Sequence, residues 1–198
     1  MVVEVILIIL GYVAGSVPTG YVLGSIAGVD VRKAGSGNVG ATNVARVVGK
    51  QQGVLTLIAD VAKGLVPVIL AMQLGASLSV SIWVGIAAFF GHLYPVFLKF
   101  QGGKGVATAL GVFLALAPVA TVILIAVFAV TALSSRIVSL SSILTAIVAP
   151  VIFWLLYYPP PVIGMAAVFA AAITFRHRSN IQRLMNGTEP RFGSPSSR

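Results

Sequence analysis

From Val2 to Ala27 the chain is apolar, with Glu4 as its one charge. A polar, glycine-rich stretch follows, and then six further apolar segments: Gly53–Met72, Ser79–Leu98, Gly105–Leu116, Pro118–Leu133, Ile137–Tyr157 and Val162–Phe175. Four of the seven are long enough to cross ~30 Å of hydrocarbon at ~1.5 Å per residue. The fourth, fifth and seventh are short, and fusing residues 105–133 into one tilted helix would leave five spans. From about Ser179 the tail is polar enough to lie in water. The pattern predicts an all-α membrane protein forming a single integral-membrane domain over residues 1–198.

Basic residues decide between seven spans and five. Arg32, Lys33, Arg46 and Lys50 follow the first apolar segment, Lys99 and Lys104 the third, Arg136 the fifth, and Arg176, Arg178, Arg183, Arg191 and Arg198 the seventh. The connections "QLGAS", "AP" and "YPPPV" carry no charge. With seven spans every basic loop falls on one side, which the positive-inside rule makes cytoplasmic. With five, Arg136 and the tail fall on opposite sides. The expectation is seven spans, N-terminus outside and C-terminus inside, with Trp154, Tyr157 and Tyr158 at the outer interface. The N-terminus lacks the Lys/Arg-rich start of a secretory signal and reads as a retained first span. Asp60 and Lys63 sit inside a span at i, i+3, a spacing that lets them pair.

Composition sharpens this picture. Hydrophobic residues make up 58% of the 198 and charged residues 9%, where a soluble domain carries roughly 25% charged. This bears on "GSGNVGATN", residues 35–43. Gly35, Gly37 and Gly40 fit G-x-G-x-x-G, and Asp60 falls near the ~20-residue offset of a ribose-binding acid. That fold needs a buried strand before the glycines, and "GVDVRKA" is too short and too polar to be one. The dinucleotide reading fails. The net charge of +9 reflects loop placement on a membrane protein, and nucleic acid is not among the expected partners.

The candidate chemistry gathers in the basic loops. The first, "VRKAGSGNVGATNVAR", offers Ser36, Asn38, Thr42 and Asn43 among Gly28, Gly35, Gly37 and Gly40. Glycines let backbone N–H groups converge on an anion, and hydroxyls and the Arg46 fork add donors. No Lys-Ser/Thr follows Gly40, so this is not a Walker A loop. In "KFQGGKGVAT", Gly102, Gly103 and Gly105 bracket Lys104 directly before an apolar helix, whose start favours anions; Lys99 reads as a membrane anchor. In "FRHRSNIQRLMNGTEPR", His177 and Asn180 share a helix face, within a segment that also reads as a basic surface lying on anionic lipid. A weaker patch, "SSRIVSLSS", has serines suited to capping a helix, and Ser142 is taken from it as a substrate-binding hydroxyl. His92 reads as a hydrogen-bonded residue near a span end.

These groups exclude several chemistries. The chain has four acids, two histidines and no cysteine, which provides no metal-ligand cluster, no thiolate chemistry and almost no material for a Ser-His-Asp triad or a carboxylate pair. What the loops have in excess is anion binding. The substrates should be phosphorylated, and an activated donor fits because it needs positioning and charge neutralisation more than a strong base.

"GSGNVGATNVAR", "FLKFQGGKGVAT" and "NIQRLMNGTE", with "GSVPTGYVLG" ahead of the first, resemble the three cytoplasmic motifs of the bacterial integral-membrane acyl-phosphate:glycerol-3-phosphate acyltransferases, the PlsY family. The resemblance covers most of the chain. It implies transfer of a fatty acyl group from acyl phosphate to the 1-position of glycerol-3-phosphate, giving lysophosphatidic acid and phosphate, the first step of phospholipid synthesis. It implies a multi-pass protein of the bacterial cytoplasmic membrane with its site facing the cytoplasm, working on those two substrates and membrane lipid, without cofactor, as a monomer. It also implies absence of the His-x4-Asp motif of soluble-type acyltransferases; where that acid would fall stand Phe97 and Gln182. Ser36, Asn38, Asn43 and Arg46 match the first motif. Gly102, Gly103, Lys104 and Gly105 match the second, which the family assigns to glycerol-3-phosphate. His177, Asn180 and Glu189 match the third. The catalytic set is then Ser36, Arg46, Lys104, His177 and Asn180, with the remaining loop glycines, Asn38, Thr42, Asn43 and Ser142 binding substrate. A transporter of phosphorylated solutes or lipid is the alternative, but it would need access from both sides, and the outer loops of this chain are nearly featureless; a non-catalytic scaffold would leave the glycine motifs unexplained.

Overall fold

The computed structural model describes residues 1–193, so Arg198 of the tail lies outside the described residues. Every regular element among them is helical: α1 Val2–Ser16, α2 Thr19–Ile26, α3 Ala41–Val47, α4 Lys50–Gln73, α5 Leu78–Leu93, α6 Val106–Leu116, α7 Pro118–Ser135, α8 Val138–Leu155, α9 Pro160–Arg176 and α10 Arg178–Met185, with one 3₁₀ turn at Val96–Leu98. No strand precedes Gly35, in keeping with the rejection of a dinucleotide fold. The helices form two compact units, residues 1–116 and residues 117 onward.

The first apolar segment is broken. Pro18 has no N–H for the next turn and disfavours helical geometry at the residue before it, so Val17 adopts ψ 117° and α1 ends at Ser16. In the first unit α1 packs on α5 and α4 on α6. Both pairs approach backbone to backbone: a methyl group at Gly15 would strike Ala88, one at Gly91 would strike Tyr12, and Gly64 and Gly111 play the same part between α4 and α6. Packing through small residues drives helix association where lipid removes the hydrophobic contrast. In the second unit α8 packs on α7 and α9, and the chain bends by 60° between α9 and α10.

Five helical stretches are long and apolar enough to cross a membrane: Val2–Ile26, Lys50–Gln73, Leu78–Leu98, Pro118–Ser135 and Val138–Leu155. The bent pair α9–α10 makes a sixth. The seventh expected crossing rests on α6, whose 11 residues reach only ~16 Å.

Asp60 and Lys63 pair as their spacing predicts, at 2.7 Å, with side chains 4% and 8% exposed. An isolated charge deep in a span costs at least ~2.5 kcal/mol, and pairing removes that penalty from both. Lys63 Nζ also donates to Val17 O at 2.7 Å, satisfying a carbonyl at the helix break.

Candidate active site

In the first unit the two glycine loops lie together. Val31, Val39 and Val44 of the first loop and α3 form a buried apolar cluster with Leu98, which leads into the second loop, and Tyr21, Val47 and Val48 cover it.

The first loop is organised around Asn43. Its side chain is buried; Oδ1 accepts from Ser36 N at 2.8 Å, and Nδ2 donates to Val31 O, Ala34 O and Asn38 O at 3.0, 3.1 and 2.8 Å. Asn38 Oδ1 accepts from Gly40 N at 3.0 Å, and Gly37 N donates to Ala34 O at 3.1 Å. The N–H groups of Ser36, Gly37 and Gly40 are therefore committed within the loop. Gly37 is required for its positive φ of 72°, which an L side chain adopts only with strain. Among its side chains, Ser36, Thr42 and Arg46 are exposed. Beside them, Arg32 grips Asp30 through two bonds of 2.9 Å and lies 4.4 Å over the Tyr21 ring. The Arg32 guanidinium holds the Asp30 carboxyl down to about 2.

The second loop hugs the end of α5. Gly102 N donates to Leu93 O and Gly103 N to His92 O, each at 3.1 Å, so these N–H groups also cap a helix instead of forming an anion nest. A side chain at Gly103 would run into the His92 imidazole. Gly105 has φ 86° and lies against Phe89. Lys104, half-buried, precedes α6 by one residue, as the sequence predicts. The tight loop fixes where its backbone sits.

In the second unit the third motif centres on Glu189. Its Oε1 accepts from Ser139 Oγ at 2.7 Å and Asn180 Nδ2 at 2.6 Å, and its Oε2 from Arg183 Nε at 2.7 Å. Burial would push the Glu189 carboxyl up, but the hydrogen bonds from Ser139, Asn180 and Arg183 outweigh it and leave the group lowered. A carboxyl with a lowered folded-state pKa stabilises fully above its ordinary value of 4.5, and that stability is lost as pH falls beneath it. The thermal midpoint in detergent should therefore drop as pH falls below the ordinary carboxyl value of 4.5, and Glu189→Gln should remove part of that drop. An unchanged acid limb in the variant would contradict the assignment.

His177 and Asn180 are both buried, at the α9–α10 bend and in the first turn of α10. His177 Nδ1 lies 2.8 Å from Ile173 O. A carbonyl only accepts, so Nδ1 carries the proton in this contact. The serines of "SSRIVSLSS" do not cap α8 through its N–H groups as expected. Ser141 and Ser142 donate back to Ile137 O and Val138 O, both at 2.9 Å, because a hydroxyl inside a helix reaches the carbonyl four residues earlier.

Sequence reasoning missed two features. Ser139 and Arg183 were not singled out as partners of Glu189, although a lone acid in a strongly basic tail is a visible signal. His92 does lie in the last turn of α5, but sequence reasoning missed that it is buried with Nδ1 3.8 Å from Asp60 Oδ1, 32 residues away.

The whole defines an all-helical, multi-pass integral membrane protein whose hydroxyls and cations crowd onto two interlocked glycine loops and a basic tail. The family model for glycerol-3-phosphate acyltransferase matches residues 5–187. The chain is 51% identical to the glycerol-3-phosphate acyltransferase of Trichlorobacter lovleyi over 181 residues, 91% of this chain and 93% of that one. It is 48% identical to that of Geotalea daltonii, over 97% and 99%. Among solved structures it resembles PlsY, an integral membrane glycerol 3-phosphate acyltransferase, in the glycerol 3-phosphate form: TM-score 0.93, 44% identity, 96% of each chain. The lysphosphatidic acid form of PlsY matches with TM-score 0.89 and 44% identity, over 96% of this chain and 95% of that one. The chain belongs to the PlsY family of glycerol-3-phosphate acyltransferases.

Proposed function

We propose that this protein transfers a fatty acyl group from acyl phosphate to the 1-position of glycerol-3-phosphate, releasing lysophosphatidic acid and inorganic phosphate. The observation that carries the reading is the state of the glycine loops. The N–H groups of Ser36, Gly37, Gly40, Gly102 and Gly103 are used internally, Ser36, Thr42 and Arg46 are exposed on one loop, and Lys104 sits half-buried on the loop packed beside it. Two phosphorylated substrates need such side chains: an Arg fork and hydroxyls for one phosphate, an ammonium for the other. The glycine backbone then acts as scaffold, not ligand. Substituting glycerol for glycerol-3-phosphate should abolish acyl transfer. Equal turnover on glycerol would remove the need for an acceptor-phosphate site.

The glycerol 1-hydroxyl attacks the acyl carbonyl carbon, the bond from that carbon to the phosphate oxygen breaks, and the departing phosphate takes the hydroxyl proton. In this mechanism His177 positions a substrate. Ile173 O orients its ring without the charge that a carboxylate would lend to an imidazolium. Asn180 is held by Glu189 for the same task. His177→Asn or His177→Gln should retain measurable turnover with a pH profile still governed by an ionisation. A general base contributes roughly 10²–10⁴-fold; a fall of that size in kcat, with KM for glycerol-3-phosphate held and the ionisation gone, would make His177 the base.

Seven crossings, with the glycine loops and tail in the cytoplasm of a bacterial inner membrane, complete the reading, and the one-sided Lys/Arg distribution supports it. In this topology α6 is a short crossing. Cysteines at Ser77 and Tyr158 should label from outside, and those at Gln101 and Ser135 only from inside. Outside labelling at Ser135 would restore five spans.

A further inference from the structure

The mechanism makes no use of the buried ionisable groups of the first unit, yet they converge on one carboxylate. Asp60, Lys63 and His92 are 3%, 9% and 7% exposed. Asp60 Oδ1 lies 2.7 Å from Lys63 Nζ and 3.8 Å from His92 Nδ1. Lys63 reaches across to Val17 O at the α1–α2 break. His92 ends its reach at the second glycine loop, where its carbonyl accepts from Gly103 N and its ring lies flush against the Gly103 Cα. These three residues border a cavity of about 10 Å³, room for roughly one water, whose walls include Thr19, Val39 and Leu98. The cluster thus touches the helix break below the first loop and the residue next to Lys104.

We infer that the Asp60–Lys63–His92 cluster is a positioning device that fixes the loop bearing Lys104. The inference rests on the reading of Lys104 as a phosphate-holding group. A salt bridge alone would need only Asp60 and Lys63, which already satisfy each other within one helix. His92 adds a connection between helices. Its ring is confined between the Asp60 carboxylate and the Gly103 backbone, and its carbonyl bond sets the height of Gly103 on the end of α5. Glycine at 103 is required because the ring occupies the space that a side chain would take. Removing the ring frees the loop to shift, and a displaced Lys104 binds phosphate poorly although every group that touches substrate is still present.

His92→Gln and Asp60→Asn test this, measured against the unaltered protein. Both should raise KM for glycerol-3-phosphate at least ~10-fold while kcat stays within about threefold. Amide exchange should speed up at least ~10-fold across residues 102–105 and stay unchanged across residues 31–40. A role limited to general stability would instead speed exchange in both loops together and lower the active fraction, leaving KM unmoved. Gly103→Ala supplies a second arm that does not depend on those variants folding. Alone it should weaken glycerol-3-phosphate as the His92 variant does, and adding His92→Ala should recover part of the loss by vacating the ring's space. Unchanged exchange at 102–105, an unmoved KM, or additive damage in the Gly103/His92 double variant would each overturn the inference. If the unaltered protein shows no acyl transfer, the functional reading fails while the exchange comparison still decides the claim about the loop.

Discussion

Asn43→Asp should disorder the first glycine loop and lower turnover by more than a hundredfold. The substitution keeps the size and the acceptor for Ser36 N, but a carboxylate cannot donate. Val31 O, Ala34 O and Asn38 O lose their common partner, and a negative charge is set among three carbonyl oxygens. Nδ2 has two hydrogens shared among the three carbonyls, so at about 1 kcal/mol each the lost bonds cost ~2 kcal/mol, and leaving buried carbonyls unpaired beside a charge adds at least ~1 kcal/mol. Every ~1.4 kcal/mol is tenfold, so the population holding Ser36 and Arg46 in place should fall by about two orders of magnitude. Amide exchange across residues 31–40 should rise in step with the loss of turnover. If exchange is unchanged while turnover falls, Asn43 contacts substrate directly and is not the keystone of the loop.

Lys104→Ala should lower kcat/KM for glycerol-3-phosphate well over tenfold. One charge-assisted contact to a phosphate is worth roughly 1.5–3 kcal/mol. The loop that carries it is held by Gly102 and Gly103 through α5 carbonyls, so removing the side chain leaves the backbone in place and the loss reports on binding. Lys99 is the control. It is exposed and lies in a left-handed turn with φ 50°, and Lys99→Ala should change little. Equal losses from both variants would reduce Lys104 to a membrane anchor.

Helices and loops were largely legible because lipid demands long apolar runs and leaves polar residues only where they are used. The breaks were harder to place. Pro18 interrupts a segment whose hydropathy is continuous, and its consequence depends on Lys63, which donates to the exposed carbonyl of Val17, 46 positions away. The glycine motifs fall on two loops that pack together, but the role of their backbone was not readable. Whether an N–H points at a ligand or at Leu93 O depends on the tertiary position of α5, which spacing along the loop does not encode. The same limit hid His92: its partner Asp60 and its contact with Gly103 come from three separate segments. Glu189 was within reach, since one acid among the tail's arginines invites pairing, yet which hydroxyl and amide it gathers required the fold.

The most direct test offers the purified protein, reconstituted in lipid vesicles, glycerol-3-phosphate together with either acyl phosphate or an acyl thioester, and follows both products. The account predicts lysophosphatidate and inorganic phosphate in equal amounts from acyl phosphate, and no transfer from the thioester, which has no phosphate bonded to its acyl carbon to be held by Arg46 and its neighbouring hydroxyls, as proposed, or to take up the proton. Lysophosphatidate made as readily from the thioester, or phosphate released without acylation of glycerol-3-phosphate, would contradict it.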